Sequence, residues 1–222
     1  MSATQAPREA DVAPAAEAAS ATSAGWTPSD PGPLGLAAFA TTTFMLSVIN
    51  AGLVGGAAAS FPAVFGLTLA FGGLGQLIAG IWEFRTGNTF GALAFTAYGG
   101  FWISFYFLAH YALGGALPKN EVFSLIGLYL WAWTIFTAIM LLAAVRTNGV
   151  VAGVFVLLLL TFIFLAIGNS ALEGTTSVIN GTIKIGGYLG IVTALVAWYG
   201  CAAGVVNSTW GRTVLPVFPI GG

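Results

Sequence analysis

The residues able to do chemistry in this chain are few, and most are amides and hydroxyls set in apolar sequence. Thr43, Asn50, Gln76, Thr161 and Asn169 can each share hydrogen bonds with a polar solute. None is a nucleophile with an adjacent base, and no Ser–His–Asp set, phosphate loop or zinc spacing occurs. His110 is the single histidine and has no carboxylate nearby, which is too little for a metal site, so it reads as an interfacial side chain. Cys201, the one cysteine, lies in an apolar run, allows no intrachain disulfide and reads as a small packing residue. "GNTFG" at 87–91 is glycine-rich but lacks the lysine of a phosphate loop, and Asn88 or Thr89 more simply caps a helix. The Asn-x-Thr sequons at Asn180 and Asn207 are weak signals. No enzyme activity, cofactor or metal is expected.

The spacing of the polar residues carries more than their types. Phe39, Thr43, Leu46 and Asn50 follow one another at intervals of 4, 3 and 4, so on a helix they share a face. Gly72, Gln76, Gly80 and Glu83 repeat the pattern, and so do Leu158, Thr161, Leu165 and Asn169. Three stripes, each with an amide, admit two readings: the lining of a narrow path, or packing faces bonded across helices.

The elements that must carry these stripes are set by composition. The 222 residues are 58% hydrophobic and only 6% charged, where a soluble domain has about a quarter charged residues. Most of the chain is therefore solvated by lipid. A net charge of −1 excludes a nucleic-acid footprint. From Leu34 onward six apolar runs, at about 35–56, 62–84, 90–113, 122–145, 150–170 and 184–206, each approach the ~20 residues that cross a bilayer. Their length and lack of alternation make them helices rather than barrel strands.

Charges fall at the boundaries: Asp30, Glu83, Arg85, Lys119, Glu121, Arg146, Glu173, Lys184 and Arg212. Glu83 and Glu173 there read as carboxylates at the headgroups. Arg85, Arg146 and Arg212 flank one side, with Arg8 farther off, and Lys119 and Lys184 the other, a bias that puts both termini in the cytoplasm. Trp26, Trp82, Trp210, Tyr111 and Tyr129 suit an interfacial belt. The pairs Gly52/Gly56, Gly149/Gly153, Gly186/Gly190 and Gly200/Gly204 have the spacing of close helix contacts. Residues 1–29, rich in Ala, Ser, Thr and Pro, read as a disordered tail without the apolar region of a signal peptide. Residues 30–216 form the membrane domain and 217–222 a short tail. At the entrance to the first span, Asp30 can cap a helix whose first turn Pro31 and Pro33 stiffen.

Several stretches resemble the acetate uptake transporter family, also called succinate–acetate permeases. They are "DPGPLGLAAF" at 30–39, "GGLGQLIAGIWEFRTGNTFGALAFTAYGGFW" at 72–102, "AIGN" at 166–169 and "GRTVLP" at 211–216. The resemblance covers about residues 30–216. It implies an all-α membrane protein of six transmembrane helices in the plasma membrane, assembled as a homohexamer with a pore in each protomer. It also implies passage of acetate and other small carboxylates, succinate among them, with or without a proton. A hydrophobic constriction is implied at Phe39, Tyr98 and Leu158, with Thr43, Asn50, Gln76, Thr161 and Asn169 lining the pore. Two departures stand out. Asp30 replaces the family's usual Asn, and Ile49 stands where some members have a histidine.

Acetate pairs a methyl group with a charge, and a path must solvate the charge without trapping it. A bare anion in a dry ring would cost several kcal/mol. Passage as the protonated acid, or on the Tyr98 hydroxyl, would relieve that cost. Competing readings are a urea- or amide-type channel for neutral solutes and a non-transporting structural membrane protein.

Overall fold

The computed structural model describes residues 26–55, 60–116, 121–172 and 179–220. Within them six helices are long and apolar enough to cross a membrane. They are α1 (Gly32–Asn50), α2 (Pro62–Thr86), α3 (Thr89–Leu113), α4 (Val122–Ala144), α5 (Gly149–Ser170) and α6 (Gly181–Trp210). Five match the hydropathy runs to within a few residues at either end. The exception is the end of α1, six residues before the expected 56. Gly52 and Gly55 there take positive φ of 73° and 46°, and the chain turns out of the helix. Gly52 thus sits in a turn, and Gly56, the other member of that expected pair, lies outside the described residues, as do Lys119, Glu173 and residues 1–25.

Local chemistry explains where the helices begin. Asn88, Asn148 and Asn180 each precede a helix and accept a hydrogen bond from the backbone N–H three residues on, at 3.0, 2.9 and 2.9 Å. The Asn180 sequon is thus explained by capping, and its amide also donates to the Gly168 carbonyl at 2.8 Å. Asp30 accepts from the Gly32 N–H at 2.8 Å, and Pro33 sits in the first turn of α1.

α2 is interrupted by a π-helical stretch, Ala70–Gly75, that joins two α-helical parts. The widened turn holds three buried glycines. A Cβ on Gly72 would come within 2.7 Å of Thr42 Oγ1 and 2.9 Å of the Trp102 ring, so this turn is pressed between α1 and α3.

Packing runs α1 against α6, α6 against α5 and α5 against α4 on one side, and α1 against α2 and α2 against α3 on the other. α3 meets α4 to close the circle. Gly186 and Gly190 face Leu165 and Ser47, and Gly200 and Gly204 face Leu36, Val150 and Pro33, so two of the four glycine pairs are close-contact sites. Gly153 is not one of them, having only Val196 at 3.9 Å.

After α6 the chain doubles back. Gly149 and Val150 donate to the carbonyls of Phe218 and Val217, and Ile220 donates to that of Thr147. The Asn207 amide accepts from Val214 and Leu215 at 2.7 and 2.9 Å and donates to the Leu215 carbonyl at 2.8 Å. The second sequon amide is therefore fully committed to holding this strap.

Candidate functional site

Two cavities lie at opposite ends of the bundle. The first, about 510 Å3, is bounded by the end of α1 (Asn50), the start of α2 (Phe61), the end of α3 (Ala112) and the end of α5 (Asn169). The second, about 470 Å3, is bounded by the entrance to α1 (Asp30), the end of α2 (Glu83), the start of α5 (Asn148) and the end of α6 (Asn207). Val217 of the strap forms part of its wall.

Three residues line both cavities: Phe39 of α1, Tyr98 of α3 and Leu158 of α5. All three are buried, and the Phe39 and Tyr98 rings lie 6.1 Å apart between centroids. Tyr98 is further packed among Trp133, Phe136 and Phe155, at 5.9, 5.6 and 6.0 Å. Aromatic edges and faces at such separations fix one another in place.

The polar residues divide between the two sides. Thr43, Asn50, Thr161 and Asn169 line the first cavity, so the α1 and α5 stripes converge there. Gln76 lines the second. Thr161 donates to the Leu157 carbonyl and reaches Thr193 of α6 at 3.3 Å, and Asn169 donates to the Leu165 carbonyl at 2.8 Å. Thr43 Oγ1 has no hydrogen-bond partner, and neither does either polar atom of the Gln76 amide, which is 0% exposed. Buried polar atoms are almost always paired. Such orphans line the cavity on each side of the three shared residues: Thr43 and the Trp102 indole N–H on the first, Gln76 on the second.

Several expectations need correction. Glu83 does not sit among headgroups. It is 3% exposed, and one carboxylate oxygen accepts from Thr86 Oγ1 and Asn88 Nδ2, each at 3.0 Å. Gly91 makes room for it, since a Cβ there would lie 2.8 Å from the other oxygen. The Tyr98 hydroxyl is not free to carry a solute, because it is bonded to Thr137 Oγ1 of α4 at 2.9 Å. Tyr129 is no belt residue either. It stacks on Phe101 at 5.7 Å and donates to the Phe101 carbonyl. Trp26, Trp82, Trp210 and Tyr111 are exposed, as a belt requires, and His110 is exposed and stacked on Tyr106.

Sequence reasoning set Glu83 on the α2 stripe and also among headgroups, and passed over Thr137 and Thr193 as site elements. Glu83 had a signal, Asn88 five residues on in a glycine-rich turn. The other two had none beyond being hydroxyls in apolar helices. No lysine or arginine lines either cavity among the described residues, and no group of three metal-binding side chains occurs there.

The profile of the GPR1/FUN34/yaaH family matches residues 14–221. Acetate permease A of Emericella nidulans is 38% identical over 197 residues, which are 85% of this chain; the chain spans 65% of that protein's length. The succinate-acetate/proton symporter SatP of Escherichia coli K12 is 36% identical over 193 residues, 85% of this chain and 94% of that one. Among solved structures, one described as the bacterial acetate channel SatP superposes with a TM-score of 0.75 at 33% identity, covering 86% of this chain and 99% of its own.

Proposed function

The chain belongs to the GPR1/FUN34/yaaH family, and from that premise we propose that it passes acetate and other small carboxylates, succinate among them, across a membrane through a pore in each protomer. The observation that carries this reading is that the two end cavities share Phe39, Tyr98 and Leu158 and nothing else. These three form the constriction. Polar residues stand on both sides of it, and the ring between them is two apolar side chains and a tyrosine whose hydroxyl is bonded to Thr137.

Thr43 on one side and Gln76 on the other offer unpaired hydrogen-bonding atoms to a carboxylate or its water. Neither holds it as a fixed arginine would, so the solute leaves as readily as it arrives. The lack of any lining cation among the described residues, together with Asp30 and Glu83 on the second cavity, works against a bare anion. The acid therefore crosses the ring in its protonated form, and the proton rides with it. That makes transport proton-coupled without an intramembrane chain of titratable groups.

Exposed Ile78, Ile81 and Phe84 on α2, and Leu128, Ile135, Ile139 and Leu142 on α4, give the outer surface apolar bands. They suit lipid or a sister protomer of a homohexamer. Arg85, Arg146 and Arg212 lie at the end of the second cavity and Lys184 at the other, a bias that supports a cytoplasmic side of a plasma membrane at that end.

The test is labelled acetate uptake into proteoliposomes, with and without an imposed pH gradient, against protein-free vesicles to subtract acetic acid crossing bare lipid. Protein-dependent accumulation driven by the gradient supports the reading. Phe39→Ala and Leu158→Ala are expected to admit acids larger than those the wild type passes. No protein-dependent flux, or unchanged size selectivity in both variants, sinks it and leaves the neutral-solute and structural readings.

A further inference from the structure

Tyr98 is the one member of the shared ring with a polar atom, and its hydroxyl is spoken for. Thr137 is 0% exposed, lines neither cavity and approaches Tyr98 from behind, on α4. The two oxygens are 2.9 Å apart. A threonine hydroxyl has one hydrogen, and Thr137 gives its own to the Trp133 carbonyl at 2.7 Å. The proton between the two side chains is therefore that of Tyr98, donated to Thr137. This leaves the ring with no hydrogen to offer a passing acid.

Resting on the reading of Phe39, Tyr98 and Leu158 as the constriction, we propose that Thr137 is a positioning residue for permeation: by accepting the Tyr98 O–H it anchors the ring and keeps the one donor of the constriction out of the path. The consequence is kinetic. A donor facing the path would bind the carbonyl oxygen of the passing acid, and a path conducts only where binding is weak enough for exit. The neighbouring helix hides a polar atom that the narrowest point must carry if a tyrosine is to fill it.

Thr137→Val keeps the shape and removes the acceptor. The Tyr98 hydroxyl, left without its acceptor, is then released to donate to a solute in the cavities that Tyr98 lines, and half-saturation for acetate and maximal uptake rate fall together. Half-saturation drops roughly tenfold, the scale of one hydrogen bond to a charged or strongly polar group. Thr137→Ser retains the oxygen and keeps both wild-type values. Tyr98→Phe placed in the Thr137→Val background removes the stray donor and returns half-saturation toward the wild-type value. A purely structural role for Thr137 lowers the maximal rate in proportion to folded protein and leaves half-saturation where it was.

Initial rates of labelled acetate uptake against concentration, in proteoliposomes of wild type, the two Thr137 variants and the double variant, decide between these. If Thr137→Val does not assemble, Thr137→Ala removes the same acceptor and carries the same expectation. Unchanged half-saturation in Thr137→Val, or a fall that persists in the double variant, overturns the inference. Phe39→Ala, measured alongside, separates the two levels. If it changes which acids pass while Thr137→Val leaves half-saturation alone, the constriction stands and the role of Thr137 falls. If it changes nothing, the constriction falls and this inference with it.

Discussion

Gly187→Ala is the substitution the geometry condemns most clearly. A Cβ on Gly187 would press on the Ala51 backbone nitrogen and lie 2.7 Å from the Asn50 carbonyl carbon and 2.8 Å from Ala51 Cα. All three are backbone atoms at the end of α1, so no side chain can swing aside. Restoring ordinary contact at about 3.4 Å from 2.7 Å means moving α6 from α1 by roughly 0.7 Å, and the nearer Ala51 nitrogen demands more, along the most extensive helix contact in the bundle. Overpacking of this kind costs about 1–3 kcal/mol when side chains yield, and an unyielding backbone puts this case at about 3 kcal/mol or more. For a chain of this size that lowers the thermal midpoint by roughly 6–12 °C. Gly66→Ala is the matched control, since its Cβ meets nothing within 4 Å and it lies within the first helical part of α2. It is expected to hold or raise the midpoint, by up to about 1 kcal/mol. The assay is thermal unfolding of both purified variants followed by helical circular dichroism in one detergent. A Gly187→Ala midpoint at or above wild type, or an equal loss in Gly66→Ala, would refute the packing argument.

Asn180→Ala removes the cap of α6 and the bond to the Gly168 carbonyl together, and is expected to cost about 1–2 kcal/mol in the same unfolding assay. Asn207→Ala deletes three hydrogen bonds to residues 214 and 215; limited proteolysis is expected to cut within 211–220 faster than in wild type, with the helices still protected. Glu83→Leu leaves the Asn88 amide without its acceptor, while the Thr86 hydroxyl keeps the residue-83 backbone carbonyl at 2.9 Å; a fall of about 1–3 kcal/mol is expected, and Glu83→Gln, which keeps an oxygen in place, is expected to recover most of it.

Hydropathy reveals the six spans because lipid demands a long apolar helix wherever the chain crosses it. It overran α1 because Leu53 and Val54 extend the apolar signal through a turn that only the backbone angles of Gly52 and Gly55 disclose. The π-helical stretch in α2 was illegible, since "AFGGLG" differs from an α-helical segment in hydrogen bonding and not in polarity. The α1 and α5 stripes were legible from spacing alone and do face one cavity. The partition of Gln76 from the other polar residues was not, because it depends on how α2 stands against α1 and α3. The Tyr98–Thr137 bond spans 39 residues and joins types that occur throughout apolar helices, so nothing local announces it. Tyr129 and Glu83 were misplaced for one shared reason. A polar group near a span end is ordinarily held by water, and here protein partners took that place.

The strap after α6 has a consequence for how the protein is built in the cell. Val217 is part of the wall of the second cavity, and it is held there by bonds to residues at the head of α5. Chains are made from the N-terminal end and fold as they emerge, so all six helices are synthesised before Val217 exists. The second cavity thus takes its last piece of wall from a segment made after all six helices. A chain cut short after Trp210 would keep the six helices and lack Val217 from that wall.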